Sequence, residues 1–132
     1  MTKENIKYLS GEAYYCYTTR PNESGKYPSH CYEVGINNVE TDDKEFLEQI
    51  GDLGIVKVNE DTQETYMKIA NSKFPIPMFN MQGKEIDKCK LPNGTKILLA
   101  VSMKHNEKFE KDYLICLGIK LLEDYKPFNP FE

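Results

Sequence analysis

Aromatic and cationic side chains are concentrated in residues 12–36, EAYYCYTTRPNESGKYPSHCYEVGI. This segment holds five of the nine tyrosines and the only arginine, Arg20. Rings on an open sheet can stack on unpaired nucleic-acid bases, and cations beside the rings can neutralise phosphates. The same tyrosines can instead fill the core of a small protein. The segment therefore indicates either a base-stacking surface or a tyrosine-rich core.

Two runs within this segment predict a hairpin. Residues 13–19 and 30–36 are rich in β-forming residues, and the Pro/Asn/Ser/Gly segment 21–29 predicts a long connection between them. Alternation along the first strand places Tyr14 and Tyr15 on opposite faces. We therefore expect only one set of the tyrosines to contact a ligand, while the other set supports the core.

Charge is polarised along the 132 residues. The net charge is −4, but residues 37–65 carry nine acidic and two basic groups, whereas residues 66–120 carry ten lysines and five acidic groups. Phosphate binding requires a local positive field rather than a basic average. The acidic average therefore does not exclude a nucleic-acid ligand.

Length and composition predict one globular domain, residues 1–124, followed by a short tail, 125–132. No apolar run approaches the roughly 18–20 residues needed to cross a bilayer, and the N-terminus is too polar for a signal peptide. We therefore expect no membrane contact and a cytoplasmic location. The four cysteines include no C-x-x-C pair, which favours reduced, structural thiols over a zinc site.

Residues 41–54 predict one amphipathic helix. Apolar side chains recur at helical spacing, and Thr41 or Asp42 can serve as the N-cap. Acidic residues crowd the first turn and the outer face, where they would repel phosphate. Any nucleic acid is therefore expected on another side of the sheet.

Residues 55–59 and 64–71 predict two short strands around an acidic turn. In the second strand, alternation points Tyr66 and Lys68 outward. An aromatic ring and a lysine two residues apart can stack a base and pair with its phosphate. A half-buried edge strand with a solvated lysine explains the same pattern, and both interpretations remain open.

The cleanest predicted hairpin joins strands 95–103 and 113–122, with a bulge at Gly118. The connection, 104–112, is a charged loop with an exposed Phe109, which is costly unless the ring contacts something. The candidate contact residues of this loop are Lys104, His105, Lys108, Phe109 and Lys111.

The sequence contains no pattern typical of an enzyme. It has no glycine-rich phosphate loop and no H-E-x-x-H, and His30 and His105 have no evident nucleophile partner. We expect no catalysis, no cofactor and no metal. Five to seven short strands, one helix and long loops favour an all-β fold, a partly open five-stranded Greek-key barrel of the OB type. The helix follows the second strand, whereas the usual OB-fold helix follows the third.

Several sequence features occur in a distinctive order. They are an opening strand with Gly11, Ala13, Tyr17 and Pro21; a strand with Tyr32, Val34 and Ile36; a helix; an aromatic and lysine strand; an F-N-x-x-G-K turn at Phe79–Lys84; and a hairpin opened by Gly94, Thr95 and Lys96 and closed by L-x-C-x-x-I-x-L. In this order the chain, from about Leu9 to Asp124, resembles the OB-fold single-stranded DNA-binding proteins of tailed bacteriophages, the replicative type of short-tailed phages.

The resemblance implies sequence-independent binding of single-stranded DNA in phage replication, recombination and repair, without a cofactor, in the cytoplasm of a bacterial host. The matching contact positions are Tyr15, Tyr17, Lys26, Tyr27, His30, Tyr66, Lys68, Lys104, His105, Lys108 and Phe109. To these we add Arg20 and Lys111, the cations beside them in the sequence. The family also recruits DNA polymerase and helicase through an acidic, aromatic tail, which implies a partner-binding role for Phe128 and Phe131. The tail here, EDYKPFNPFE, has three acids but no acidic run.

Two alternatives share these features. One is a small β-barrel interaction module of a phage assembly that uses the Phe128 and Phe131 tail as its hook. The other is an RNA-binding OB protein, because the chemistry of the groove is the same. The sequence is also compatible with a homodimer.

Overall fold

A computed structural model describes residues 6–123, with only the backbone of Asn71 and Ser72. The elements within this range are β1 (Ile6–Ala13), β2 (Tyr32–Glu40), α1 (Lys44–Asp52), β3 (Lys57–Val58), β4 (Thr65–Ser72), β5 (Met78–Phe79), β6 (Glu85–Ile86), β7 (Lys96–Asn106) and β8 (Lys111–Leu121).

The five long strands lie in the order β4-β2-β1-β7-β8, and each is antiparallel to its neighbours. The sheet curls until β4 and β8 face each other, but these two strands are not hydrogen-bonded partners. β5 pairs with the C-terminal end of β8 at Ile119, so the N-terminal end of β8 borders the gap. This is the predicted partly open OB barrel of five strands. Three strands of two residues each extend its edges.

Alternation along the strands builds the core. Ile97, Leu99 and Val101 of β7 are fully buried, as the period of two predicts. Phe46 and Ile50 of α1 join the same cluster, so the helix closes one side of the barrel. Burial of each such side chain stabilises the fold by roughly 1.5–3 kcal/mol.

The helix is shorter than the predicted range 41–54. It spans Lys44–Asp52 and is capped by Asp43, whose Oδ1 accepts the N–H of Phe46 at 3.0 Å. The prediction of Thr41 or Asp42 as the cap was wrong, because Asp43 also contacts Lys7 of β1 at 2.8 Å. The hydrogen bonds from Lys7 and from Phe46 N–H lower the pKa of Asp43. The expected place of the helix, after the second strand, is confirmed.

The first predicted strand is displaced. Residues 13–19 were expected to form it, but β1 ends at Ala13 and the chain then leaves the regular ladder. Backbone pairing with β2 continues only as a hydrogen bond from Tyr14 N–H to Gly35 O and an isolated bridge between Tyr17 and Glu33. The hairpin itself is confirmed, since β1 and β2 are antiparallel neighbours.

The remaining strands follow the sequence more closely. β4 lies within one residue of the predicted 64–71, whereas β3 is reduced to Lys57–Val58. In the last hairpin, Ala100 pairs with Gly118 and Val101 with Cys116, so Leu117 is the extra residue of a bulge. The predicted bulge is therefore confirmed.

Within residues 6–123 the four cysteines are free, and burial raises the pKa of the Cys116 thiol to about 12. No helix in this range has the length and apolarity that crossing a membrane requires. No group of three or more His, Cys, Asp or Glu residues there is placed to hold a metal ion. The tail with Phe128 and Phe131 lies outside the described residues.

Candidate nucleic-acid interface

The outward face of β4 presents an aromatic ring and a lysine. Met67 and Ile69 are buried, so the alternating Tyr66 and Lys68 face outward and are exposed, as predicted. Lys57 of β3 pairs with Tyr66 and adds a second exposed cation at that position. The strand therefore offers a stacking surface flanked by positive charge.

A cleft of about 500 Å³ separates β4 from β8, and we call it the β4–β8 cleft. Tyr66 and Lys68 line one wall, and Lys111 and Tyr113 of β8 line the other, with Lys57 at the same site. The structure thus brings together three predicted contact residues, Tyr66, Lys68 and Lys111, that lie far apart in the sequence. Lys57 and Tyr113 were missed. The Lys111-x-Tyr113 spacing, the mirror image of Tyr66-x-Lys68, was the available signal for Tyr113.

Tyr14 and Tyr15 are both exposed, which contradicts the prediction that they face opposite sides. Their ring centroids lie 4.4 Å apart in an edge-to-face arrangement. Tyr14 N–H still donates to Gly35 O at 2.9 Å, but Tyr15 N–H donates to the Asn93 side chain at 2.8 Å, and Tyr15 has a φ of 48°. Alternation fails here because the backbone has left the ladder.

Tyr14 belongs to the same outward surface as Tyr66. The two residues line a shallow concavity together with Asn37 of β2. The absence of a side chain at Gly35 permits this approach, since a Cβ there would lie 2.5 Å from Tyr14 O. Tyr14, which the sequence prediction left out, therefore extends the aromatic surface from β4 towards Tyr15.

Residues 14–31, the 14–31 connection, carry five of the predicted contact residues at exposed positions, Tyr15 among them. Tyr27 is 86% exposed, with Lys26 Nζ 5.7 Å from its ring centroid. Arg20 is exposed and forms no ion pair with any described residue. His30 is engaged, because its Nδ1 lies 2.5 Å from Glu23 Oε2. Besides Tyr14 and Tyr15, the connection therefore offers the exposed ring of Tyr27 and two cations, Arg20 and Lys26, that form no ion pair with a described residue.

Tyr17 supports this connection rather than presenting its whole ring. It is half-buried, its hydroxyl lies 3.0 Å from Ser24 Oγ, and its backbone pairs with Glu33. The ring is therefore fixed against the connection that it begins.

Glu33 anchors the connection to the sheet. It is 1% exposed, and its Oε2 accepts hydrogen bonds from Ser29 Oγ at 2.6 Å and from Asn22 Nδ2 at 2.7 Å. Its other oxygen forms an ion pair with Lys68 Nζ. Burial raises the pKa of this carboxyl, but the hydrogen bonds from Lys68, Ser29 and Asn22 outweigh burial and leave the pKa of Glu33 lowered. Glu33 is therefore an ionised group inside the fold.

The last hairpin extends further than predicted. Lys104 and His105 belong to β7 and Lys111 to β8, so the expected loop 104–112 is reduced to the turn 107–110. Cross-strand pairing persists to the tip because polar pairs such as His105 and Asp112 continue the ladder. His105 Nδ1 lies 2.7 Å from Asp112 Oδ1, so the ring of His105 is already engaged with a carboxylate of the opposite strand.

The 107–110 turn presents an exposed ring and a cation. Phe109 is 69% exposed, and Lys108 Nζ lies 5.5 Å from its centroid. Asn106 Oδ1 accepts the N–H groups of Lys108 at 3.0 Å and Phe109 at 3.3 Å. Short local hydrogen bonds therefore hold the tip. Lys104 pairs with Tyr113 across the hairpin, next to the β4–β8 cleft.

No protein-family model matches this sequence, and a search of curated proteins finds no significant match. Solved structures do match. The chain has the fold of a phage single-stranded DNA-binding protein. A C-terminally truncated form of the bacteriophage Enc34 protein has a TM-score of 0.60 and 12% identity, with 96% of this chain and 90% of that chain covered. The Enc34 protein in complex with single-stranded DNA has a TM-score of 0.61 and 13% identity, with 96% and 91% covered. The predicted resemblance is confirmed at the level of the fold.

OB-folds that bind oligonucleotides use the face of the second and third barrel strands and the loops between strands one and two and between strands four and five. In this chain those elements are β2, β4, the 14–31 connection and the 107–110 turn. The exposed rings and free cations described above lie on these elements, on the neighbouring wall of β8 and, for Lys57, on β3 beside β4. Fold and surface chemistry therefore indicate the same side of the barrel.

Proposed function

We propose that this protein binds single-stranded DNA without sequence preference. The observation that carries the proposal is the β4–β8 cleft, where the rings of Tyr66 and Tyr113 lie beside lysines and one wall is β4, the third barrel strand, whose face OB-folds use for oligonucleotides. Rings stack on bases of any identity, and cations neutralise phosphates of any sequence. Binding is therefore expected to depend on exposed bases, which duplex DNA does not offer.

The proposed contact surface has three parts. The cleft and its rim contribute Tyr14, Lys57, Tyr66, Lys104, Lys111 and Tyr113. The two connecting segments contribute Arg20, Lys26 and Tyr27, and Lys108 and Phe109. Tyr15 extends the surface beside Tyr14. The acidic helix α1 belongs to none of these parts.

The biological setting proposed from the resemblance is the protection of DNA intermediates in phage replication, recombination and repair, in the cytoplasm of a bacterial host. The protein acts by binding alone, without catalysis. Phe128 and Phe131 of the tail are proposed to bind the phage polymerase or helicase. The solved complex of the Enc34 protein with single-stranded DNA supports the ligand, and the shared fold supports the comparison.

Tyrosine emission tests the proposal directly, because the chain has nine tyrosines and no tryptophan. Oligo-dT should quench the emission as rings stack on bases, and high salt should reverse the quenching. Tyr66→Ala should weaken this binding while the melting temperature stays unchanged, since the ring is exposed.

Three outcomes separate the alternatives. Quenching by oligo-dT but not by duplex DNA supports the proposal. Stronger quenching by oligo-U identifies an RNA-binding protein. No quenching by either oligonucleotide favours an interaction module, and the proposed function is then wrong.

A further inference from the structure

One buried titratable group has no part in the contact surface. The Glu33 carboxylate is buried under the 14–31 connection. Carboxylates are rarely buried in proteins unless they are paired. It reaches two residues of the connection, Asn22 and Ser29, and one residue of β4, Lys68. It therefore links the connection to the strand that carries Tyr66.

Backbone contacts reinforce the link. Asn22 N–H donates to Cys31 O at 2.9 Å, and His30 N–H donates to Asn22 O at 3.0 Å, so the connection closes on itself beside Glu33. Glu33 N–H and Tyr17 N–H each donate to the other residue's carbonyl, at 3.1 and 2.9 Å. The connection that presents Arg20 and Tyr27 is thus tied to β2 at Glu33, through both its carboxylate and its backbone.

Lys68 differs from the other cations of the cleft. Its side chain is 53% exposed, yet its ammonium is paired with Glu33. Lys57 and Lys111 line the same cleft and form no ion pair with any described residue. A lysine whose charge balances a buried carboxylate releases no counterion when a phosphate arrives, because leaving Glu33 would strand a buried charge.

We infer that Glu33 is a positioning residue, which holds the 14–31 connection on the binding face. Its carboxylate also keeps the Lys68 ammonium paired, so that Lys68 does not bind a phosphate. This inference rests on the proposed single-stranded DNA binding. It divides the lysines of one cleft into a structural lysine, Lys68, and a phosphate-binding lysine, Lys111. It also revises the sequence-based expectation that Lys68 pairs with DNA.

The salt dependence of oligo-dT binding tests the division of the lysines. Each phosphate contact contributes about 0.7 to the slope of log K against log salt for a single strand. Lys111→Met should reduce the magnitude of this slope by about 0.7. The double variant Glu33→Gln/Lys68→Met removes the pair without changing the net charge, and replacing both partners of a buried pair is compatible with folding. The glutamine carbonyl can still accept the hydrogen bonds of Asn22 and Ser29 and so keep the connection in place. The slope of the double variant should therefore equal that of the wild type.

A third variant sharpens the result. Glu33→Gln alone frees the Lys68 ammonium in the same cleft, so its slope should rise by up to about 0.7. A slope for Glu33→Gln/Lys68→Met that falls as far as that of Lys111→Met would show that Lys68 binds a phosphate, and the inference would be overturned.

Amide hydrogen exchange tests the positioning role in the absence of DNA. Glu33→Ala should speed exchange at Asn22 and His30, whose N–H groups close the connection, and should leave Phe109 in the 107–110 turn unchanged. Equal exchange at all three amides in wild type and variant would contradict the positioning role. If the wild type does not bind oligo-dT, the proposed function fails, while the exchange result still decides whether Glu33 holds the connection.

Discussion

The 14–31 connection and the 107–110 turn present the same chemistry by different means. Each carries an exposed ring with a lysine ammonium beside it, at 5.7 Å for Lys26 and Tyr27 and 5.5 Å for Lys108 and Phe109. The turn is held by local hydrogen bonds to Asn106 at the end of a long regular ladder. The connection is held by Glu33, which belongs to β2.

This difference shows which part of the surface depends on ionisation. A cation beside a ring contributes about 0.5–1 kcal/mol at an exposed site, wherever it is placed. The ring and cation of the 14–31 connection are held in place by the buried charge of Glu33. Those of the 107–110 turn are held in place by neutral hydrogen bonds. Changes at Glu33 should therefore affect one region and spare the other.

The largest effect is expected for Glu33→Ala. The change leaves Lys68, Asn22 and Ser29 without their shared acceptor, so the free energy of unfolding should fall by about 3 kcal/mol, the low end for a broken buried pair because Lys68 is half exposed. Urea denaturation measures the loss. Glu107→Ala in the exposed turn is the matched control and should change stability by less than about 0.5 kcal/mol. Equal stability of both variants would remove the contrast between the two regions.

Removal of either exposed ring should weaken binding by a similar amount. Phe109→Ala and Tyr27→Ala should each cost about 1–3 kcal/mol in the affinity for oligo-dT, the value of one stacked base. Neither change should lower the melting temperature, because both rings are exposed. Tyr8→Ala, an exposed ring on β1 outside the cleft and the two segments, is the control. Unchanged affinity in both variants would exclude the two rings from the site.

Acid should weaken the contribution that Glu33 makes to stability. The pKa of Glu33 is lowered from its ordinary value of 4.5, so its contribution to stability is complete above about pH 4.5 and is lost as the pH falls through the folded-state pKa. Unfolding free energies at several pH values between 7 and 3 should decrease less steeply for Glu33→Gln than for the wild type. Parallel curves would show that Glu33 is not the group that titrates.

The smallest effect concerns the two ring-associated lysines. Lys26→Met and Lys108→Met should each lower the slope of log K against log salt by about 0.7, since each removes one phosphate contact. The slope is measured by titrating labelled oligo-dT at four or more salt concentrations. A change for only one variant would show that a single segment contacts the backbone of the DNA.

Local patterns predicted the regular part of the fold well. Alternation identified the buried face of β7 and the outward pair Tyr66 and Lys68, because a strand in a ladder forces side chains to alternate. The bulge beside Gly118 followed from a glycine in the middle of a strand. The number of short strands, the single helix and the long loops were sufficient to suggest the OB barrel, although the helix follows the second strand instead of the third.

Distant contacts determined the rest. The backbone at Tyr15 is set by Asn93, 78 residues away, so no local pattern could show that Tyr14 and Tyr15 share a side. The pairing of Lys68 with Glu33 also requires the tertiary structure, since the two residues lie on different strands. Tyr113 was within reach, because it repeats the spacing of Tyr66 and Lys68.

The central claim is that exposed bases and phosphates bind one face of this barrel. Fluorescence anisotropy of labelled oligo-dT and of a duplex of the same length, titrated with the protein at several salt concentrations, tests it most directly. We predict tight binding of the single strand, weak binding of the duplex, and a slope of log K against log salt that corresponds to several phosphate contacts at about 0.7 each. Equal affinity for both nucleic acids, or no binding of the single strand at low salt, would contradict the claim.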